Sequence, residues 1–378
     1  MTLLDAHGRI LAEAIHADRE FPPFPRAARD GYAVRAGDLG QVPAELQVIG
    51  EVRAGSAPDV RIGAGKAVSI MTGAAVPPGA DAVVMMEHTS RDADRVHVER
   101  RVAAGENIVP AGSEGRRGDQ LLAPGIRVGY AEAAMAAAAG RSHIVVFGKP
   151  RIAVLSTGDE VIDVDVPPGP AQIRNSNSYS LAVQIQQAGG EASLLPIAPD
   201  EPVRLRELLK EGIEADLLLI AGGVSMGKYD LVEEALAELH AEFFFTGVQI
   251  QPGKPVMFGR VHQQDSHKFV FGLPGNPIST MVTFELFARP MVEALAGLVA
   301  QKLAFVQARL KSEIRTKTGL KRFLPGLLSG EFENSAVELV KWQGSGDIGA
   351  VTRANCFVVL PSDRERIAAG EWVSLLLR

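Results

Sequence analysis

The sequence has a single cysteine, Cys356, among its 378 residues. This excludes an internal disulfide and any zinc site that needs several cysteine ligands. The chain also has no excess of positive charge, because 39 basic residues minus 45 acidic residues give a net charge of −6. Nucleic acids and anionic membranes attract large positive surfaces, so we expect neither as a partner. Hydrophobic residues still make up 46% of the chain, which is enough to build the cores of two or three domains.

Long apolar segments are absent as well. No run approaches the roughly 18 apolar residues that mark a membrane-spanning helix. The N-terminal segment 1–19 interrupts its apolar residues with Asp5, Glu13 and Asp18, which does not match a secretory signal peptide. We therefore expect a soluble protein located in the cytoplasm.

Hydrophobic patterns divide the chain into segments of different character. Leu3–Ala17 has the apolar spacing of a short amphipathic helix, and the alanine-rich segment Ala131–Ala139 predicts a second helix that Gly140 ends. Between residues 31 and 119, short apolar runs alternate with glycine and proline turns, which predicts a small all-β module. The last 78 residues return to short β-type runs, which predicts a separate C-terminal β domain.

From Lys149 onward, predicted strands alternate with predicted helices, the order that builds a mostly parallel sheet with helices on both faces. The predicted fold class is therefore an α/β multidomain protein. The predicted strands are Arg151–Ser156, Ala192–Ile197, Asp216–Ile220, Phe243–Ile250 and Phe269–Leu273, and the predicted helices are Ser176–Gln187, Val203–Ile213, Leu231–Leu239 and Ser279–Leu298.

Two glycine-rich segments match nucleotide-binding motifs incompletely. Gly344–Gly349 reads G-x-G-x-x-G, but it precedes β-type sequence near the C-terminus, whereas a dinucleotide fold needs it at the first strand-to-helix turn. We interpret it as a glycine turn, whose backbone N–H groups could still hold an anion. Gly222–Tyr229 nearly completes a P-loop, yet Tyr229 replaces the hydroxyl residue that binds Mg²⁺. A phosphate cradle of another lineage, at the start of the next helix, fits better.

Four loops of the α/β segment follow predicted strands and are rich in glycine, proline and short polar residues. Ligands of open α/β sheets bind outside the carboxyl ends of the strands, so we expect these loops to line one crevice. Lys254 supplies positive charge, and Glu160, Asp200 and Asp230 supply the hard oxygen ligands that Mg²⁺ prefers beside phosphates. Singly, each carboxylate could be a surface group or a helix cap, but together the loops predict a phosphate-containing ligand. The loops are Ser156–Glu160, Gly222–Asp230, Gln251–Pro255 and Leu273–Ser279.

Eight motifs occur in one order along the chain. They are Asp30–Val34 (DGYAV), Met71–Ala74 (MTGA), Gly79–Val84 (GADAVV), Gly105–Asn107 (GEN), Ser156–Glu160 (STGDE), Gly222–Gly227 (GGVSMG), Pro252–Pro255 (PGKP) and Leu273–Pro277 (LPGNP). In this order they resemble the molybdopterin molybdenumtransferases, the MoeA group that includes the gephyrin E domain. The resemblance covers nearly the whole chain and is weakest in the C-terminal β segment.

The resemblance implies the last step of molybdenum-cofactor synthesis, in which adenylylated molybdopterin and molybdate give molybdenum cofactor and AMP with the assistance of Mg²⁺. It also implies a homodimer, and the molybdopterin adenylyltransferase as a further partner. The implied domains are a linker domain (1–44 and 120–148), an inserted N-terminal β domain (45–119), an α/β molybdopterin-binding domain (149–299) and a C-terminal β-barrel-like domain (300–378).

The resemblance further implies roles for individual residues. Asp30 and Thr72 come from the N-terminal half, and dimer formation lets them act on the partner's crevice. Glu160 and Asp230 are the implied Mg²⁺ ligands. The implied catalytic residues are Asp30, Thr72, Glu160, Asp200 and Asp230, and the implied ligand-binding residues are Thr157, Gly158, Gly222, Gly223, Ser225, Lys254, Pro274, Gly275, Asn276, Ser279 and Ser345.

Three positions depart from the family's pattern. Gln251 stands where many members carry a second lysine before Pro-Gly-Lys, and Arg29 replaces a small residue or methionine before Asp-Gly-Tyr. The family's Gly-Arg-x-x-Phe reads Gly319–Phe323 (GLKRF), which makes Lys321 or Arg322 the candidate replacement for the missing arginine. These changes leave open a paralogue that binds molybdopterin or a related nucleotide without inserting metal.

The domain content of the sequence disfavours two further functions. The adenylyltransferase of the same pathway shares the α/β domain, but the additional N- and C-terminal segments speak against it. A structural scaffold is a second possibility, and the lack of a low-complexity tail or exposed linker speaks against that function.

Overall fold

The computed structural model describes residues 1–223, 231–263 and 266–378, which form two compact units. The first unit comprises Met1–His7 and Leu11–Val146, and the second comprises Gly8–Ile10 and Phe147–Arg378. Within the described ranges, no helix combines the length and apolar character of a membrane span.

Strands dominate the first unit. Its elements are β1 (Ile15–His16), β2 (Arg26–Ala27), β3 (Gly31–Val34), β4 (Ala44–Val52), β5 (Lys66–Ile70), β6 (Ala82–Met85), β7 (Thr89–Asp92), β8 (Arg95–Val98), β9 (Ile108–Val109), β10 (Gln120–Leu122) and α1 (Tyr130–Ala138). Six strands form one sheet in the order β6-β3-β5-β4-β8-β7. Side chains alternate between its faces, so Tyr32 and Val34 lie in one buried cluster while Ala33 lies in another. The predicted all-β module is confirmed.

The helix predicted over Leu3–Ala17 is wrong. The segment forms turns and the short strand β1, which pairs with β10. Gly8 has a φ of +76°, which does not occur in a right-handed helix. Leu11 and Ile15 are nevertheless buried, in a cluster that also contains Ala136 of α1. The apolar spacing in Leu3–Ala17 therefore reflects which residues are buried, although the segment that buries them is irregular.

The second unit begins with the predicted alternation of strands and helices. Its elements up to residue 295 are β11 (Arg151–Ser156), β12 (Val161–Ile162), β13 (Ile173–Arg174), α2 (Asn177–Ala188), β14 (Glu191–Leu194), α3 (Pro202–Ile213), β15 (Leu217–Ala221), α4 (Leu231–Glu238), β16 (Ala241–Phe245), β17 (Ile250–Gln251), β18 (Met257–Gln263), β19 (Ser266–Leu273), α5 (Pro277–Thr283) and α6 (Arg289–Leu295). A six-stranded sheet has the order β14-β11-β15-β19-β18-β16, and β14, β11, β15 and β19 are parallel.

Helices cover both faces of this sheet, as predicted. Leu208 of α3 and Leu236 of α4 are buried in one cluster, whereas Ile185 of α2 and Val292 of α6 are buried in the other. The strand β18 is antiparallel to both of its neighbours and was not predicted. The helix predicted over Ser279–Leu298 is divided, because a π-helical turn (284–288) separates α5 from α6. Pro290 lies in the first turn of α6 and has no N–H for a regular helical bond.

The C-terminal segment forms a closed β-barrel. Its elements are β20 (Val306–Leu310), β21 (Ile314–Arg315), β22 (Lys321–Ser329), β23 (Ala336–Leu339), α7 (Ile348–Thr352), β24 (Cys356–Leu360), β25 (Arg366–Ile367) and β26 (Trp372–Leu377). Five strands pair in the order β22-β23-β20-β26-β24, and β24 also pairs with β22 to close the barrel. The strand β17 adds to β22 in parallel register, which joins the barrel to the α/β part of the same unit. The α-helix α7 was not predicted.

Candidate functional site

The carboxyl ends of three adjacent parallel strands, β11, β15 and β19, carry most of the predicted ligand-binding residues. The Thr157 N–H donates to Ala221 O at 3.1 Å, and the Gly222 N–H donates to Leu273 O at 3.1 Å. These bonds continue the sheet ladder beyond the strands. Consequently the loops after the three strands meet at one edge of the sheet, as the sequence predicted.

Glycine permits the close approach of two of these loops. Gly222 has a φ of +99° and Gly223 a φ of +66°. A Cβ atom on Gly222 would lie 2.9 Å from Thr157 O, and one on Gly223 would lie 2.8 Å from Thr157 Oγ1. Any larger residue would therefore separate the loops, besides adopting a strained backbone.

The loop after β19 is held by a buried hydroxyl. Thr280 Oγ1 donates to Pro274 O at 2.5 Å, and Asn276 O lies 3.1 Å from the same hydroxyl. Pro274 is buried, whereas Gly275 and Asn276 are exposed. A Cβ atom on Gly275 would stand 3.5 Å from the Cα atom of Gly222, so the loops after β15 and β19 are in contact.

Three carboxylates gather beside the loop after β11: Asp159, Glu160 and Asp200. The Asp200 N–H donates to Asp159 Oδ1 at 3.0 Å, and the Gly158 N–H donates to Ala198 O at 3.1 Å, which ties the segment after β14 to this loop. Gly158 has a φ of +129°, and the Glu160 carboxylate folds back over it. A Cβ atom on Gly158 would lie 2.9 Å from Glu160 Cδ.

The negative charge of this cluster is not compensated within the described ranges, where none of the three carboxylates forms an ion pair. Asp200 is exposed, but partial desolvation still raises the pKa of its carboxyl, and the charges of Asp159 and Glu160 raise that pKa further. No group of three or more His, Cys, Asp or Glu side chains in the described part of the chain is arranged to hold a metal ion. The remaining predicted metal ligand, Asp230, lies outside the described residues, as does Ser225.

The Pro-Gly-Lys loop lies beside an arginine of the barrel. Pairing of β17 with β22 places Gln251 opposite Arg322, and Arg322 Nη1 donates to Gln251 Oε1. Arg322 Nη2 also donates to Lys317 O at 3.3 Å. The sequence offered Lys321 and Arg322 as replacements for the missing arginine of Gly-Arg-x-x-Phe. Of these two residues, it is Arg322 that the structure brings against Gln251, the position where the resemblance implies a lysine. Lys254 in the same loop is exposed.

The start of α5 is covered by the glycine turn of the barrel. The Ile278 N–H donates to Ser345 O at 2.9 Å, so Ser345 lies next to the first turn that carries Ser279. Ser279 is buried, with 4% of its surface exposed. These two predicted hydroxyl residues are therefore neighbours, although they are separated by about 66 positions in the sequence.

The first unit brings Asp30 and Thr72 together. Asp30 Oδ1 accepts hydrogen bonds from the Thr72 N–H at 2.6 Å and from Thr72 Oγ1 at 2.8 Å. Both hydrogen bonds lower the pKa of the Asp30 carboxyl below its ordinary range, and the bond from the backbone N–H has the larger effect. Both residues are exposed, so the carboxylate is ionised and accessible.

Sequence reasoning missed Asn177, the first residue of α2. Its Nδ2 donates to Gly275 O at 2.7 Å, which places it at the same edge of the sheet. The signal available was the run of short polar residues from 175 to 178. Another residue of this run, Asn175, caps the helix, because its Oδ1 accepts from the Ser178 N–H at 3.1 Å.

Three family profiles match the chain along its length. They are the MoeA N-terminal region (domain I and II) over residues 1–140, a probable molybdopterin binding domain over residues 153–294, and the MoeA C-terminal region (domain IV) over residues 307–377.

Curated proteins and solved structures agree with the profiles. The molybdopterin molybdenumtransferase of Nostoc sp. is 34% identical over 98% of this chain and 86% of its own length. Molybdopterin molybdenumtransferase 1 of Mycobacterium tuberculosis is 32% identical over 99% of this chain and 93% of its own. The crystal structure of the molybdopterin biosynthesis moeA protein from Pyrococcus horikoshii aligns with a TM-score of 0.76 at 30% identity, covering 100% of this chain and 94% of that one.

Proposed function

The chain belongs to the family of molybdopterin molybdenumtransferases, and we propose that it converts adenylylated molybdopterin and molybdate to molybdenum cofactor and AMP. It is thus a transferase of molybdenum-cofactor biosynthesis. One observation carries the proposal at the level of this chain's own residues. The glycine-lined loops after β11, β15 and β19 meet at one sheet edge, and Asp159, Glu160 and Asp200 gather at the first of them. The loop after β17 carries Lys254 and lies against Arg322 of the barrel.

Molybdate is a tetrahedral dianion, so its site needs cations and hydrogen-bond donors aimed at oxygen atoms. We assign this role to Lys254, the hydroxyls of Ser279 and Ser345, and the guanidinium of Arg322. The close approach of Arg322 to Gln251 supports the last assignment, because it supplies the charge that Gln251 lacks. Ser225 belongs to the same proposal on resemblance alone. The presence of Arg322 also weakens the alternative of a paralogue that binds molybdopterin or a related nucleotide without inserting metal, because the charge missing at Gln251 is part of the basis for that alternative.

The phosphate side of the ligand is proposed to lie near the carboxylates, with Mg²⁺ between them. The described residues do not form a metal site by themselves, but the carboxylates of Asp159, Glu160 and Asp200 offer the oxygen atoms that Mg²⁺ prefers, and their charge has no ion-pair partner among the described residues. On resemblance, Glu160 would hold the ion together with Asp230, which lies outside the described residues. When bound, Mg²⁺ supplies positive charge that neutralises the phosphate oxygens during cleavage of the adenylate. Gly158, Gly222 and Gly223 would line the cradle, where the absence of side chains on Gly222 and Gly223 lets a ligand approach the backbone.

We further propose a cytoplasmic homodimer in which Asp30 and Thr72 of one subunit serve the α/β loops of the other. Support comes from the ionised, accessible Asp30 carboxylate, which belongs to a different unit of the chain from Glu160. Mixing inactive Asp30→Ala protein with inactive Glu160→Ala protein should restore activity after subunit exchange, because some hybrid dimers contain one intact site. If exchange is demonstrated and activity does not return, the site is built within one chain.

The function is tested by mixing purified protein with adenylylated molybdopterin, Mg²⁺ and molybdate and measuring AMP. Release of AMP that requires molybdate, together with transfer of molybdenum to the pterin, is the expected result. AMP release without molybdate, or none at all, would favour binding without insertion. The adenylyltransferase of the pathway is the proposed source of the substrate and a candidate partner.

A further inference from the structure

Two oxygen atoms at the carboxyl edge of the parallel sheet are buried without a hydrogen-bond partner in the described part of the chain. They are Thr157 Oγ1 and Asn177 Oδ1. Burial of an unpaired polar atom costs free energy, and proteins rarely tolerate it without a ligand, water or strain to explain it. Thr157 Oγ1 faces Gly222 and Gly223, and Asn177 contacts the loop after β19, so both atoms belong to the site described above.

The orientation of the Asn177 amide is determined by its one partner. Nδ2 donates to Gly275 O at 2.7 Å, and a flipped amide would place two acceptor oxygens against each other. Oδ1 is therefore the atom left over, and a carboxamide oxygen can only accept. Asn177 Oδ1 therefore requires a hydrogen-bond donor as its partner.

A buried network holds Asn177 in this position. Ser156 Oγ, at the end of β11, donates to Asn175 Oδ1 at 3.0 Å and lies 2.9 Å from Ser178 Oγ. Asn175 Nδ2 donates to Ser178 Oγ at 2.9 Å. Since Asn175 and Ser178 are buried and flank Asn177, the network fixes the first turn of α2 against the strand end. The unpaired amide oxygen is thus a positioned group.

The chemistry of Asn177 Oδ1 excludes the oxyanion parts of the ligand as its partner, whereas the Thr157 hydroxyl can either donate or accept. Molybdate and ionised phosphate present only acceptor oxygens, which a carboxamide oxygen repels. The pyrimidinone ring of a pterin, by contrast, carries an N–H and an adjacent amino group, whereas adenine carries a single amino group. The unpaired oxygens of Thr157 and Asn177 therefore match the pterin edge, which has two donor groups, better than the adenine edge, which has one.

We propose that Asn177 Oδ1, assisted by Thr157 Oγ1, binds the amino-pyrimidinone edge of the pterin ring. This rests on the proposed function, and it assigns the α2 side of the site to the ring and the residues Lys254 and Arg322 to the oxyanions. Asn177 thereby determines which way the pterin enters the crevice.

The test compares ligands that differ in one donor group. Fluorescence titration measures the dissociation constants of 6-hydroxymethylpterin and of 6-hydroxymethyllumazine, in which an oxygen replaces the 2-amino group. The unmodified protein should prefer the pterin by about tenfold, the effect of about 1.4 kcal/mol. Asn177→Ala should reduce that preference to about twofold or less. Gln186→Ala, an amide removed from an exposed position on the same helix, should leave the preference unchanged.

Further arms distinguish the outcomes. AMP and IMP also differ by the exchange of an amino group for an oxygen, here on the purine ring. Asn177→Ala should not alter the ratio of their dissociation constants. Thr157→Val, which keeps the side-chain shape, should weaken the pterin preference with an unchanged melting temperature, so the inference can be tested even if Asn177→Ala unfolds. Three results would each overturn the inference. The first is that Asn177→Ala changes the preference for AMP over IMP. The second is that neither variant changes the preference for the pterin, and the third is that the unmodified protein does not bind the pterin. Molybdate-dependent AMP release tests the proposed function separately, since none of these binding ratios requires turnover.

Discussion

Arg322 is expected to supply the second positive charge of the molybdate site, and its removal provides the sharpest test of that site. The guanidinium lies against Gln251, where the resemblance implies a lysine, and β17–β22 pairing holds the two backbones in register. Arg322→Gln removes the charge while keeping a polar side chain that can still meet Gln251. We therefore expect weaker use of molybdate without loss of the fold.

The magnitude follows from screened electrostatics. Unit charges about 4 Å apart interact by about 1 kcal/mol in water and by about 4 kcal/mol at the effective dielectric near a protein surface. Because Arg322 is only half-buried and molybdate is mobile, a value near 1 kcal/mol is appropriate. Since about 1.4 kcal/mol corresponds to a factor of ten, the half-saturating molybdate concentration should rise about fivefold. At about 1 M salt, where the Debye length is about 3 Å, the difference should nearly vanish.

The assay titrates molybdate against AMP release at low and high salt. Lys321→Gln is the matched control, because neighbouring residues of a strand point to opposite sides and Lys321 therefore points away from Gln251. Gln251→Lys alone should bring little benefit, since the new ammonium would face the guanidinium of Arg322. In the Arg322→Gln background the same substitution should restore the half-saturation point. An equal response of the Lys321 and Arg322 variants, or no response of either, would refute the reasoning.

Three further predictions concern the acidic side of the site and the first unit. Glu160→Gln should fold normally, as circular dichroism would show, but lose most molybdate-dependent AMP release, because a neutral amide binds Mg²⁺ poorly; near-normal rates would remove this residue from the mechanism. Thr72→Val removes one of two hydrogen bonds that lower the pKa of Asp30, so its carboxyl should protonate at a higher pH, and an NMR titration midpoint that stays or falls would contradict this. Gly158→Ala should lower the free energy of unfolding by about 1–3 kcal/mol because of its positive φ and the overlying Glu160, whereas Gly148→Ala, with open space around its Cα, should change little in the same denaturant titration.

The local pattern of apolar residues was sufficient to predict many helices and strands of the second unit. The strand predicted over Arg151–Ser156 matches β11, and the predicted helices Ser176–Gln187 and Val203–Ile213 differ from α2 and α3 by one residue at their ends. These elements bury one face or both faces against the same sheet, so their apolar periodicity is a direct record of their structure. Gly189 ends α2 with a φ of +98°, as its position in the sequence predicted.

The apolar pattern predicted the wrong structure where buried residues do not belong to a regular helix or strand. The apolar residues of Leu3–Ala17 are buried in turns, and the periodicity resembled a helix by coincidence. The strand β18 was overlooked although its residues alternate between buried and less buried positions. It pairs with β19, which follows it directly in the chain, and with β16. Its sequence mixes Gly259, Arg260 and His262 with the apolar residues, so it does not form the continuous apolar run by which β11 and β15 were predicted.

For the site, the sequence by itself determined which residue types were available: the glycines of the loops, the carboxylates after β11, and the motifs that identify the family. Only the tertiary structure decided which of these residues meet. Asn177 touches Gly275 across 98 positions, and Arg322 reaches Gln251 across 71, each through strands or helices brought together by the sheet and the barrel. A charge missing from one loop could be restored from another domain because electrostatic interactions depend on distance in space, and a single sequence does not record that distance.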